Sequence, residues 1–551
     1  DNAFDNDITP GVKVPLQSIV AYRQAVGWKN FANYYGGEVI ADGITYRIDD
    51  NGAMVAAAEA TLTEANIPSS VEFEGNQYPV IKINDRVFSG NTNLTTVTLP
   101  ESLTTLGSYA FSSCKSLKTI KIPSGVTAIP DHCFYECSSL DSVTIPEGVT
   151  TIGDRAFEDC NLNALTLPES LEAIGSIAFC GNRSLKSVNI PAKVKTIESY
   201  TFFNCGLTEL VIPEGVLVID QDAFLGNYSL KNLTLPSTIT SIGESAFLYN
   251  DNLQSIICNA VTPPTLGDNA FDNDITPGVK VPLQSIVAYR QAEGWKNFTN
   301  YYGGEVVADG ITYRIDENGA MVAAAETSLT EANIPSAVEF EGNQYAVTKI
   351  NDKAFSDNTN LTAVTLPESV VTLGSDAFSG CQSLKTIKIP SKVTAIPDRC
   401  FVYCSSLESV TIPEGVTTIG SYAFSNCKLN ALTLPESLET IGSYAFSFCD
   451  LTDLVIPEGV QTIDNYAFEY NSLKNLTLPS TVTSIGGSAF GNNNNLQSII
   501  CNAATPPTLG DNAFRSNISI KVPMASIVAY RQAEGWKNFT NYYGGEVVAD
   551  G

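Results

Sequence analysis

The chain has 551 residues, a formal net charge of −28, Cys 13 and His 1. So large a carboxylate surplus argues against nucleic acid and anionic membrane as partners, and no apolar run is long enough to span a bilayer. With one imidazole in so long a chain, His-dependent catalysis has a single possible location, His132.

In chain order, the first recognisable phrase is V-P-L-Q-S-I-V-A-Y-R-Q-A ahead of Trp28, and it returns ahead of Trp295 and, with two changes, ahead of Trp536. The middle copy reads as a short helix begun at Pro282 and stopped by Gly294, followed by Trp295, Phe298, Tyr301 and Tyr302. A helix with such aromatics would cover the open end of a stack of repeats. Next come Asp42 to Asn84, nearly restated by Asp309 to Asn351. There, Ile44 to Ile48 alternates as a strand, D-D-N-G or D-E-N-G reads as a hairpin turn, and a second turn falls at Gly75 or Gly342.

A repeated sentence then takes over, with Phe at 88, 111, 134, 157, 179, 202, 224, 247 and 271, and again at 355, 378, 401, 424, 446, 468, 490 and 514. A fixed period of this size predicts a solenoid. Each unit reads roughly L-x-x-V-x-L-P-x-x-V-T-x-I-G-x-x-A-F-x-x-C/N. The first part is a short strand ended by proline. A second extended piece follows (Val149 to Ile152), Gly153 turns the chain, and G-x-x-A-F-x-x-C has room for about one helical turn. One coil alone buries too few apolar groups to offset its backbone entropy, so the core must be continuous from coil to coil.

The predicted organisation is residues 1–41 as the C-terminal cap of a truncated upstream unit, 42–308 as a first unit with a hairpin cap, nine coils and a helical cap, and 309–551 as a second with a hairpin cap, eight coils and a helical cap. Phe157 aligns with Phe424 and Phe224 with Phe468, the second offset being shorter by 23 residues, so one whole coil is missing from the second unit. The expected fold is mainly β with short helical turns, arranged as two tandem right-handed stacks. The sequence reads as a window on a longer tandem protein, with signal and anchor outside it.

Among polar positions, Glu101, Glu147, Glu169 and Glu214, and Glu368, Glu414, Glu436 and Glu458, occupy one position of the coil. Stacked carboxylates repel, and a divalent cation could bridge them; the simpler expectation is a solvated turn. Eight cysteines, among them Cys114, Cys137 and Cys160, lie three residues after the repeat Phe, where other coils have Asn91, Asn182, Asn227, Asn358 or Asn471. That exchange predicts an inward ladder satisfying backbone groups, with reduced thiols and no disulfides. Cys133 and Cys400 replace the Ala before Phe, and Cys258 and Cys501 end strands. No cofactor and no metal are expected: phosphate loops, zinc helices and dinucleotide fingerprints are missing, and the D-N-D of Asp272 to Asp274 becomes R-S-N at Arg515 to Asn517. His132 gives way to Arg399 in the second unit, which excludes a shared catalytic role.

The columns that vary from coil to coil are better suited to binding. Two residues before Phe the second unit has Tyr422, Tyr444 and Tyr466, and the first has Tyr109, His132, Arg155 and Tyr200; Tyr403 and Tyr470 lie two after their Phe. Tyrosines supply rigid apolar area with a polar tip and can stack on sugar rings, although packing of Tyr on Tyr would produce the same pattern. The outward centre of the strands, Thr98, Lys121, Thr144, Thr166, Asn189, Val211 and Thr234, is small and polar, fit for a broad protein contact. The sequons at Asn93, Asn232, Asn360 and Asn475 flank or lie in strands, where little glycosylation is expected if the source is eukaryotic.

The phrase P-x-x-V-T-x-I-G-x-x-A-F-x-x-C, with the hairpin segment before it and Y-R-Q-A-x-G-W-K-N-F after it, closely resembles the BspA-like leucine-rich repeat family over essentially the whole chain. The resemblance implies a leucine-rich repeat solenoid that is surface-anchored or secreted, and adhesion to extracellular-matrix proteins such as fibronectin, other bacteria or host receptors. It carries over no binding residue. The expected protein is therefore a non-enzymatic adhesin whose partner is a host matrix or receptor protein. The alternatives are a glycan-binding accessory module of a surface nutrient-capture system, resting on the tyrosine stripe, and a passive surface spacer.

Overall fold

The computed structural model describes residues 11–544 apart from 30, 32–33, 273–274, 431 and 516–517. Asn273 and Asp274 of D-N-D, Ser516 and Asn517 of R-S-N, and the first ten residues of the expected upstream cap lie outside the described residues. The chain divides into two compact units, Asp1–Tyr301 and Tyr302–Gly551.

In the first unit, the helix Ile19–Gln24 projects Arg23 to Asp49 at 3.2 Å and Asp50 at 2.6 Å. Gly37–Ala41, Ile44–Ile48 and Ala53–Ala58 form an antiparallel meander. Alternation puts Ile44, Tyr46 and Ile48 inward. The turn after Ile48 is tied by Asp49 Oδ1, which accepts the Asn51 and Gly52 N–H groups. Asn76–Ile83 pairs antiparallel with Ser70–Phe73 and parallel with Ala53–Ala58, passing the sheet from hairpin to coils.

Successive coils then contribute to two parallel ladders in register, each interrupted along the stack into separate sheets. Glu209–Val211, Asn232–Leu235, Ser255–Cys258 and Gly278–Lys280 show the first. Thr196–Ile197, Val218–Ile219, Ser241–Ile242 and Thr265–Leu266 show the second. Between the ladders runs a file of phenylalanine rings from Phe88 to Phe271, neighbours 5.1 to 5.5 Å apart and within 10° of parallel. Trp295 ends the file, tilted against Phe271 at 5.9 Å, its Nε1 donating to Pro264 O at 2.8 Å. Tyr289, on the helix Ile286–Gln291, donates to Ala260 O at 2.8 Å. Both rings are fully buried, so the helical segment closes the core and satisfies two carbonyls there.

The second unit repeats the plan. Gly304–Ala308, Ile311–Asp316 and Gly319–Ala325 form its meander. Phe355 to Phe514 make its ring file at 5.1 to 5.3 Å, and Trp536 ends it at 6.0 Å.

The G-x-x-A-F-x-x-C segment is not a helical turn. It is a run of tight turns in which N–H groups alternate between a carbonyl three residues back and one on the next coil. Ala110, Ser112 and Cys114 bond back to Gly107, Tyr109 and Phe111, whereas Tyr109, Phe111 and Ser113 donate to Asp131, Cys133 and Tyr135. A helix would take all of these donors for itself, and the stack would lose three inter-coil bonds per repeat.

Candidate functional site

The turn segment costs backbone strain at two columns. Two residues before Phe the φ angle is positive at Tyr109 (57°), His132 (55°), Arg155 (54°), Tyr200 (58°), Tyr422 (57°), Tyr444 (57°) and Tyr466 (60°). Two residues after Phe it is positive at Tyr403 (61°), Phe448 (56°) and Tyr470 (56°). An L-residue pays about 1–2 kcal/mol in the left-handed region, offset here by the inter-coil bond its N–H makes. Tyr422, Tyr444 and Tyr466 donate to Ser443, Asn465 and Gly487 at 2.8, 3.0 and 2.9 Å.

This geometry aligns equivalent side chains of successive coils. Tyr422, Tyr444 and Tyr466 stack at 4.6 and 4.5 Å, within 13° of parallel. Their faces are spent on one another, so the column offers ring edges and phenol groups outward. Burial and then the neighbouring tyrosines raise the Tyr444 phenol above its ordinary value. Tyr470 stacks at 4.4 Å on Phe448, a residue that reading for tyrosine alone misses although it stands in the same column. In that column Asn426 separates Tyr403 from Phe448.

In the first unit Tyr109 and His132 stack at 4.3 Å, with Arg86 over the outer face of Tyr109 at 4.8 Å. Arg155, next in the column, pairs with Glu158 at 3.0 Å. Burial and then the Arg155 charge push the His132 imidazole pKa down, and its Nδ1 is buried. Tyr200 lies two coils beyond Arg155, edge-on to Phe203 at 5.8 Å. The first unit's residues thus form a short polar and aromatic run, and Tyr200 stands apart from it.

The cysteine ladder has a defined task. Cys114, Cys137, Cys160, Cys205, Cys381, Cys404, Cys427 and Cys449 each direct Sγ at the carbonyl of the preceding coil's Phe, at 2.9 to 3.3 Å. Asn182, Asn227, Asn250, Asn471 and Asn493 do so with Nδ2. All thirteen cysteines are free thiols, and burial pushes Cys114 and Cys449 up to about 12. Cys180 is the one half-buried thiol and sits outside the ladder, immediately after Phe179.

The glutamate column is engaged by backbone. Glu101 takes Lys121 Nζ at 2.8 Å and the Ser124 N–H at 3.2 Å, Glu147 the N–H groups of Glu169 and Ser170, and Glu214 the N–H and hydroxyl of Ser237. Glu368, Glu414 and Glu458 act likewise on Ser391, Glu436 and Ser480. Each of these carboxylates reaches one coil ahead and caps its turn. Lys121 and then Ser124 hold the Glu101 carboxyl at about 2. Among the described residues no group of three or more His, Cys, Asp or Glu could hold a metal ion, and no helix is long and apolar enough to cross a membrane.

Residues 60–185, 150–277, 325–450 and 439–526 match the family described as BspA type leucine rich repeat region. The chain belongs to the BspA-type leucine-rich repeat family. Among solved structures it is similar to a leucine-rich repeat protein from Bacteroides ovatus, at 22% identity over 84% of this chain and 94% of that one, with a TM-score of 0.36. A leucine rich cell surface protein from Faecalibacterium prausnitzii matches at 25% identity over the same shares, 84% and 94%, with a TM-score of 0.33. A leucine rich repeat protein from T. pallidum matches at 25% identity over 39% of this chain and 91% of its own, with a TM-score of 0.31. No curated protein matches the chain.

Proposed function

We propose that the chain is a non-enzymatic cell-surface or secreted adhesin that contacts host extracellular-matrix proteins or other cells. Membership of the BspA-type family carries the reading. The outward strand face agrees with it, since Thr98, Lys121, Thr144 and Val211 recur as Thr365, Lys388, Thr411 and Val455, all exposed. A flat file of small polar groups suits a broad, shallow protein contact, and repetition in two units multiplies weak contacts into avidity.

A glycan-binding role has narrower support. Sugar stacking needs open ring faces, and in the Tyr422, Tyr444, Tyr466 file only the two outermost faces are free of a partner within the file. The test is binding of the full chain to an array of matrix proteins and mucosal glycans, with and without EDTA. Saturable binding to a matrix protein such as fibronectin is expected. Glycan-only signal transfers the assignment to the accessory module, and silence on both leaves a passive spacer.

A further inference from the structure

The two units are near copies, yet they differ where the end of the ring file meets the terminal helical segment. In the first unit that corner holds a cavity of about 60 Å³, whose lining includes Phe271, Asp272, Asn297 and Phe298. Its counterpart in the second unit, with Phe514, Arg515, Asn538 and Phe539 in the same places, measures about 630 Å³ and runs on across the preceding coil to Glu469. Side-chain size accounts for the extension. The coil it crosses carries Gly491 and Asn492 where the first unit has Leu248 and Tyr249, and Glu469 replaces Leu225. A volume of about 630 Å³ lies within the usual range of small-molecule sites, about 300–1,000 Å³.

The polar groups of this cavity are mixed and largely uncommitted. Asp511, Asn512 and Asn538 are exposed and Ser488 is half-buried, and their side chains have no hydrogen-bond partner among the described residues. Arg515 spends only Nη1, on Asn494 O at 3.2 Å and Asn494 Oδ1 at 3.1 Å. The charges nearly cancel. Glu534 pairs with Lys537 at 2.6 Å, and Asp511 is matched in charge by Arg515. The one carboxylate in excess, Glu469, accepts Asn492 Nδ2 at 3.0 Å. Phe514 and Phe539 are only 6% and 7% exposed, so a lipid or other apolar ligand would find little surface to cover.

We infer that this cavity binds a short, uncharged oligosaccharide. A sugar hydroxyl both donates and accepts, so a row of them can serve the Asp511 carboxylate, the Arg515 guanidinium and both ends of the Asn512 and Asn538 amides. A basic peptide side chain only donates, and it would leave Arg515 facing a like charge. An acidic sugar would meet the surplus carboxylate. The site is made by turns and by the terminal helical segment, apart from the outward strand face, and so goes beyond the protein-contact reading.

The test is isothermal titration calorimetry of the full chain against lactose, N-acetyllactosamine, N,N′-diacetylchitobiose, mannobiose and maltotriose, with 3′-sialyllactose as an acidic comparison. Saturable binding of at least one neutral sugar is expected. The Gly491→Leu, Asn492→Tyr double variant puts the first unit's own residues into the cavity and should abolish that binding. The fold accepts them, because Leu248 and Tyr249 hold the same coil positions and Asn492 and Tyr249 share a left-handed backbone, at φ 56° and 58°. Arg515→Asp, which copies Asp272, should weaken binding about tenfold or more, as loss of a charged hydrogen-bond donor does. Silence from all the neutral sugars, tighter binding of 3′-sialyllactose than of any of them, or unchanged affinity in the double variant overturns the inference. Matrix-protein binding should be the same in the double variant as in the wild type, which keeps the two readings separable.

Discussion

Exchanging one ladder residue, Asn for Cys, should have opposite consequences at two places in the same column. Asn471 closes a step of 22 residues from Phe446 to Phe468. In that shorter coil Leu451 follows too soon for its N–H to bond back, and it donates to Asn471 Oδ1 at 3.0 Å. The Asn471 Nδ2 meanwhile serves Phe446 O at 2.8 Å. Asn250 closes a step of 23 residues from Phe224 to Phe247, where Leu230 bonds back to Asn227 O at 2.9 Å and needs no amide from the next coil, and the Asn250 Oδ1 is buried without a partner. Cys keeps the donor and removes the amide acceptor. Asn471→Cys therefore strands a buried N–H and should cost about 1–3 kcal/mol, whereas Asn250→Cys removes a stranded oxygen and should be neutral or stabilising by up to about 1 kcal/mol. Urea unfolding followed by circular dichroism gives the two shifts, and hydrogen exchange at the Leu451 amide reports the local bond. Equal shifts for the two variants, or an unchanged Leu451 exchange rate in Asn471→Cys, would refute the two-duty account. Cys449 follows a 22-residue step without an amide, which nothing in the structure explains; Cys449→Asn should stabilise, by supplying Leu429 with the acceptor that Leu451 has.

Phe134→Ala opens a gap in the ring file between Phe111 and Phe157 and should cost about 3–5 kcal/mol, read from thermal or urea unfolding. Glu101 and Glu368 are each held at about 2 against an ordinary 4.5, so their contribution is complete above pH 4.5 and fades as the pH falls towards 2. Thermal melts from pH 7 to 2 should show the Glu101→Gln, Glu368→Gln double variant below the wild type at neutral pH and level with it near pH 2. The native chain should yield thirteen free thiols by mass, with maleimide labelling slow everywhere and led by Cys180, whose thiol burial and nearby acidic groups push up to about 12.

The coil period, the hairpin strands and the ladder were legible because each leaves a periodic mark: Phe at a fixed step, Ile44 to Ile48 in alternation, Cys exchanging with Asn. The turn segment was not, because G-x-x-A-F has helix-like spacing and nothing in it says that half its N–H groups belong to the next coil. A clue was present two residues after Phe, where Gly90, Gly181, Gly226 and Gly380 recur, all with φ near 75°. Recurrent glycine in a column that also holds several Asn and Asp signals a left-handed backbone. Phe448 was missed for a different reason: a search of the variable columns for tyrosine passes over a phenylalanine, although it stacks on Tyr470 at 4.4 Å.

The inter-coil N–H bonds made at the repeat Phe and at the left-handed columns on either side of it point one way, each coil donating to the one after it. Tyr109, Phe111 and Ser113 have their counterparts in Tyr422, Phe424 and Asn426, with no reversal among them. A stack built so has a direction as well as a length. Coils can be added or removed whole, as in the second unit's missing 23 residues, since each new neighbour presents the same acceptors in the same order. A coil and a half, or a coil run backwards, would face donors with donors. The repertoire open to such a protein is therefore a change in the number of coils and in what their turns display, with the polarity of the stack left fixed.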